Sequence, residues 1–148
     1  MRAAFALLFA ATGAAAPVPK DFKPPPVVLT LSTGKSPYQE AEVVMVAIRN
    51  NGTEELKVTY AGIPSMPFGI GFRDDKGRVV EYFISETISG LLGVSTVKVP
   101  PGKTATVMLA LHPGYFTNGV WPAGKLTVVV RLKVGKKVYA SEPLVFRE

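Results

Sequence analysis

"AEVVMVAIRNNGTEELKVTY", residues 41–60, decides how this chain folds. Residues 41–49 are an almost unbroken apolar run, the pattern of a strand buried on both faces. Residues 55–60 alternate strictly, with Leu56, Val58 and Tyr60 on one side and Glu55, Lys57 and Thr59 on the other. A period of two marks a half-buried strand. Between the runs lie Asn50, Asn51 and Gly52, which tolerate positive φ and predict a tight hairpin corner fixing the register of its two strands. The same residues form a sequon, Asn51-Gly52-Thr53, which requires an exported chain and a host with the transfer machinery.

The rest of the chain repeats that rhythm. Residues 27–32 are short and β-branched. Phe68, Ile70 and Phe72 alternate with Gly69, Gly71 and Arg73, and residues 78–83 follow after an Asp74–Gly77 turn. Residues 84–95 are ambiguous: one helical turn fits 87–92, with Gly90 and Gly93 limiting it. Residues 94–99 are extended, and Pro100-Pro101-Gly102 turns the chain. Residues 104–111 direct Ala105, Val107, Leu109 and Leu111 inward, and 126–134 do the same with Leu126, Val128, Val130, Leu132 and Val134. Residues 138–146 close the chain, with Pro143 marking an edge or a bulge. Short strands with frequent turn signals and no long helix predict an all-β, two-sheet antiparallel sandwich of about 7–9 strands.

Composition agrees. Hydrophobic residues make up 47% of the 148, enough for a packed core rather than a disordered chain. The chain has no cysteine, which excludes disulfides, thiol nucleophiles and Cys-type zinc sites. A net charge of +6 invites a nucleic-acid reading, but the lysines are dispersed and only Lys133, Lys136 and Lys137 cluster, around a turn. No nucleic-acid partner is expected.

The first residues read as processing signals. Arg2, the apolar run 3–11 and the small residues 12–16 occur in the order of a secretory signal peptide, with cleavage after Ala15. Nine apolar residues are too few to span a bilayer as a helix. Residues 16–26, APVPKDFKPPP, form a stiff Pro-rich linker. The expected division is therefore signal peptide 1–15, linker 16–26 and one domain 27–148, exported to the periplasm or beyond, monomeric and without a transmembrane segment once the signal is removed.

Two stretches carry a resemblance. Residues 38–60 and 99–148, the latter with "VPPGKTATVMLAL", "PAGKLTVVVRLKV" and "SEPLVF", resemble exported bacterial immunoglobulin-like domains. Within that group the chain is also similar to the BsuPI-like intracellular proteinase inhibitor domains. There an Asn-x-Gly corner precedes a strand, and a hairpin follows whose pattern falls on Phe72, Asp75, Gly77 and Val80. Those domains continue with a tryptophan-rich segment; this chain has Val80-Glu81-Tyr82-Phe83 instead. The resemblance implies a sandwich fold and raises proteinase inhibition as a function.

Catalytic chemistry finds little support. His112 is the only histidine, it ends a strand, and no Gly-x-Ser-x-Gly elbow exists. Asp74-Asp75-x-Gly77 fits a turn better than a calcium loop. No catalytic residue, metal ligand or cofactor is expected, and the chain reads as a non-enzymatic binding or structural module of the cell envelope. Two loops are candidate contact sites. Loop 61–67, AGIPSMP, is stiffened by proline and carries Ile63 and Met66 at its tip, as an inhibitor loop would. Loop 112–124, HPGYFTNGVWPAG, carries Tyr115, Phe116 and Trp121, either a platform for a sugar ring or a protein, or a plug over the open end of the sandwich. The expected partner is thus an unknown protein or an envelope polysaccharide.

Overall fold

The computed structural model describes residues 25–34, 42–61, 63, 65–83 and 94–147. The signal peptide expected at 1–15, nearly all of the linker at 16–26 and residues 84–93 of the ambiguous segment 84–95 lie outside the described residues. What is described is all-β and antiparallel, as the alternation predicts.

Strands β1 (Val27–Gly34), β2 (Glu42–Asn50) and β7 (Thr104–Leu111) form one sheet in the order β1-β2-β7. A second sheet has the order β10-β8-β4-β5, from β4 (Phe68–Arg73), β5 (Val79–Val80), β8 (Leu126–Val134) and β10 (Leu144–Arg147). A further strand, β9 (Lys137–Ala140), also pairs with β8. The remaining pair, β3 (Leu56–Tyr60) and β6 (Ser95–Val99), forms a separate two-stranded ribbon. The ten strands among the described residues thus fall into three hydrogen-bonded groups around one core.

The inward rows are those that alternation selects. Leu56 and Val58, Phe68, Ile70 and Phe72, Val107, Leu109 and Leu111, and Leu126, Val128, Val130 and Leu132 are all buried in one cluster with Val44, Val46 and Ile48. Each such side chain contributes about 1.5–3 kcal/mol on leaving water. Strand β2 departs from the expectation of burial on both faces. Val43 is buried opposite Val44, but Met45 and Ala47 on its side are only half-buried and Arg49 is exposed. Beyond Val43, that face of β2 is only partly covered among the described residues. The run stays apolar because its open face is itself a mild surface, where Met45 pairs across the strands with Ser32 and Met108.

The corner at 50–52 is not a hairpin. Strands β2 and β3 belong to different groups, and no residue from 50 to 52 has a positive φ. The chain arches from one sheet to the next. Asn50 sets the bend: its Oδ1 accepts the Gly52 N–H at 2.9 Å, an Asx turn. Its Nδ2 donates to the carbonyls of Glu54 at 2.8 Å and Val99 at 2.7 Å. The backbone joins in, with Asn50 N–H on the Lys103 carbonyl and Gly102 N–H on that of Asn50. Gly102, at φ +76°, completes the Pro100–Lys103 turn that returns β6 to β7. Two arches therefore cross side by side, tied through one carboxamide.

The C-terminal run also resolves differently. Residues 138–146 are not one strand but β9 and β10, laid end to end along the same edge of β8. The break falls at 141–143, where Pro143 marks it. Ser141 keeps the ladder closed there: its N–H donates to the Val130 carbonyl, and its Oγ accepts the Val130 N–H at 3.0 Å.

Candidate functional site

The hairpin joining β4 to β5 begins the site. Asp74 Oδ1 accepts the N–H groups of Lys76 and Arg78, and Oδ2 accepts Arg78 Nε at 2.8 Å. The Arg78 amide is the main reason its carboxyl lies below the ordinary carboxylate range. Gly77, at φ +76°, closes the turn. Strand β5 then pairs with Phe72 and Arg73 alone. Tyr82 leaves the sheet to bridge Phe116, and Phe83 donates its N–H to the Tyr115 carbonyl at 2.6 Å.

Beyond Phe72 the outer edge of β4 has no paired strand among the described residues. The Pro67 carbonyl accepts the Lys133 N–H, so odd-numbered residues of this run face β8 and Phe68 and Ile70 direct their backbone groups the other way. Among the described residues no strand pairs with that side of Phe68–Gly71. The Tyr82 hydroxyl donates to the Ile70 carbonyl there at 2.7 Å.

Beside the open edge is a cleft of about 710 Å³. Ile70, Gly71, Tyr82, Phe83, Tyr115 and Thr117 are among the residues that line it. Its rim is apolar and wet: Phe83 is 76% exposed and Val79 68%. Glu81 is its one charged lining residue among the described residues. Burial raises both the Tyr82 and the Tyr115 phenols above their ordinary values, so both carry their protons at neutral pH.

The far wall comes from the aromatic loop. His112 accepts the Gly114 N–H on Nδ1 at 3.0 Å and caps the short 3₁₀ turn Pro113–Tyr115. Phe116 follows and packs edge-on against Phe72 at 5.0 Å. Trp121 continues the stack to Phe146 at 5.6 Å, with the Arg147 guanidinium 4.8 Å above its ring. Arg147 also pairs with Glu42 of the opposite sheet.

Of the residues singled out in the sequence, the structure brings Tyr115 and Phe116 to this cleft. Phe116 is only 5% exposed and belongs to the core. Trp121 is half-buried, its ring under Arg147, so the three aromatics do not form one exposed platform. In loop 61–67, whose residues 62 and 64 lie outside the described residues, Ile63 is 4% exposed and Met66 is 69% exposed. The apolar tip expected there reduces to Met66, beside a cis Met66–Pro67 peptide. Ser65 N–H to the Ile63 carbonyl and Phe68 N–H to that of Ser65 brace the loop. Asn51 of the sequon accepts Arg49 Nε and donates Nδ2 to the Pro25 carbonyl at 3.2 Å.

Sequence reasoning missed Val79 and Phe83. Both rows of residues 78–83 carry one charge, Arg78 in one and Glu81 in the other, so local alternation does not tell which row faces outward.

The fold and cleft define an all-β sandwich with an open strand edge and no cluster of three or more metal-ligating side chains among the described residues. No described helix is long and apolar enough to cross a membrane. No family model and no curated protein matches the chain. Among solved structures it is similar to the yjhA protein from Bacillus subtilis, with a TM-score of 0.41 and 17% identity, over 82% of this chain and 93% of that one.

Proposed function

We propose that this is an exported, monomeric, non-enzymatic binding module of the cell envelope, immunoglobulin-like in plan, that takes an extended segment of a partner protein along β4. The observation that carries this reading is the unpaired side of β4 at Phe68 and Ile70, where among the described residues the Phe68 carbonyl and the Ile70 N–H have no partner, beside a cleft rimmed by exposed Phe83 and Val79. An added strand gains main-chain hydrogen bonds from such an edge and specificity from alternate side chains. The Tyr82 hydroxyl must swing off the Ile70 carbonyl to admit it, and the Phe68 N–H stays with the Ser65 carbonyl, so the added strand is limited to the Phe68 carbonyl and both groups of Ile70. Because Glu81 is the charge that lines the cleft among the described residues, the favoured segment alternates apolar residues with lysine or arginine.

Short peptides of that pattern are the probe. Binding is expected to shift the NMR signals of Ile70, Gly71, Phe83 and Tyr115, to weaken in Phe83→Ser, and to favour acidic peptides in Glu81→Lys. Binding indifferent to both substitutions would overturn the reading. Export is tested separately by the N-terminal sequence of protein taken from the native envelope, expected to begin at Ala16.

A second reading has its own support. Exposed Met66 on a hydrogen-bonded loop anchored by buried Ile63 fits a proteinase inhibitor of the BsuPI-like type. Inhibition of subtilisin-type or metalloproteases that Met66→Gly abolishes would favour it. Unchanged protease rates at large excess, or rapid cleavage within 61–67, would remove it.

A further inference from the structure

The chain contains two Asn-Gly pairs, Asn51-Gly52 and Asn118-Gly119. Asn-Gly is the dipeptide most open to spontaneous deamidation, because glycine places no side chain in the path of ring closure. The glycine amide nitrogen loses its proton to a base and attacks Cγ of the asparagine. The new C–N bond closes a succinimide, and the carboxamide nitrogen leaves as ammonia with protons from water. Water then opens the ring at either carbonyl, leaving aspartate or isoaspartate. The sum is amide plus water to acid plus ammonia, and it needs no other reactant.

The fold treats the two pairs differently. At Asn51 both reacting groups are held. Gly52 N–H donates to Asn50 Oδ1 at 2.9 Å, which ties down the nucleophile. The Asn51 carboxamide is pinned at both ends, by Arg49 Nε on Oδ1 at 3.1 Å and by the Pro25 carbonyl under Nδ2. The Asn51 N–H is itself bonded to the Pro26 carbonyl, so the backbone is also fixed. Ring closure there must break three hydrogen bonds. At Asn118 the side chain is exposed, and among the described residues no hydrogen bond holds its carboxamide. Only the Gly119 N–H is engaged, on the Phe116 carbonyl at 3.0 Å.

We propose that the folded chain directs deamidation to Asn118 and withholds it from Asn51. The consequence falls on the candidate cleft, because Asn118 follows Thr117 in its wall. Each converted molecule carries a new exposed carboxylate one residue along the chain from that wall.

The test is peptide mapping by mass spectrometry after incubation of the full chain at mildly alkaline pH. In the folded protein Asn118 is expected to convert at least roughly tenfold faster than Asn51, the factor that two extra hydrogen bonds of ordinary strength supply. In concentrated urea the two rates should converge, since the dipeptides are the same. In Asn50→Ala, where the Gly52 amide is released, Asn51 should gain on Asn118. Equal rates in the folded wild type would overturn the proposal, and so would the same order of rates persisting in urea. The urea arm decides the matter even where Asn50→Ala does not fold.

Discussion

Asn50 is 3% exposed and polar, so its burial is tolerable only because each polar atom of its side chain has a partner. Replacing it separates two effects. Asn50→Ala leaves the Gly52 N–H and the carbonyls of Glu54 and Val99 without their partners and is expected to cost about 2–4 kcal/mol by urea denaturation. Asn50→Asp keeps the shape and the acceptor for Gly52 but turns the donor toward Glu54 and Val99 into an oxygen facing two carbonyl oxygens. It should be the worse variant, a penalty relieved as the new carboxyl is protonated at low pH. An Asp variant as stable as Ala would mean that the arch relaxes around the lost donor. Tyr82 and Tyr115 make a second residue-scale case. Burial raises both phenols, so each holds its proton more tightly folded than unfolded. Their contribution is complete below the unfolded value near 10 and is lost as pH rises through the folded values. Stability should fall above about pH 10, and the double variant Tyr82→Phe/Tyr115→Phe should flatten that fall.

Strand β8 organises its sheet, with β4 on one edge and β9 and β10 sharing the other. The break between β9 and β10 would leave the Val130 N–H without a ladder partner; Ser141 supplies its hydroxyl instead. Ser141→Ala removes that acceptor at a buried position and should cost about 1–3 kcal/mol, with faster hydrogen exchange at the Val130 amide as the local signature. Ser141→Thr, which retains a hydroxyl, should keep part of the protection. The strands themselves were legible because a period of two needs only local sequence, as at Phe68, Ile70 and Phe72 or along Leu126–Val134. Pairing was not, because it is set by distant groups. Asn-Gly at 51–52 carries the local mark of a hairpin, yet the bend answers to the Val99 carbonyl, which lies on another strand. The site divides the same way. Tyr115 could be read as a loop aromatic of interest, but the burial of Phe116 depends on Phe72, and the covering of Trp121 on Arg147.

At the scale of the molecule, one clasp joins the two large sheets at their margin. Glu42 begins β2 in the first sheet, and Arg147 ends β10 in the second. Arg147 also lies over Trp121, which reaches the core through Phe116 and Phe146. Two forces act on one guanidinium, and they respond differently to salt. The ion pair is about one-third exposed on each side, so its coupling should be only ~0.2–1 kcal/mol. It should fade at molar salt, where the screening length falls to about 3 Å. Stacking on Trp121 contributes ~0.5–1 kcal/mol by close contact and should persist. A double-mutant cycle with Glu42→Gln and Arg147→Met isolates the first term, and Arg147→Lys retains the charge while losing the planar fit on the ring. The expected order of stability is wild type, then Lys, then Met, with the Glu42 coupling vanishing at high salt and the gap between Lys and wild type remaining. If the coupling is zero at low salt while Met still destabilises, the margin is held by the aromatic stack alone. The sheets would then owe their alignment entirely to the shared apolar core, with Glu42 an ordinary surface carboxylate.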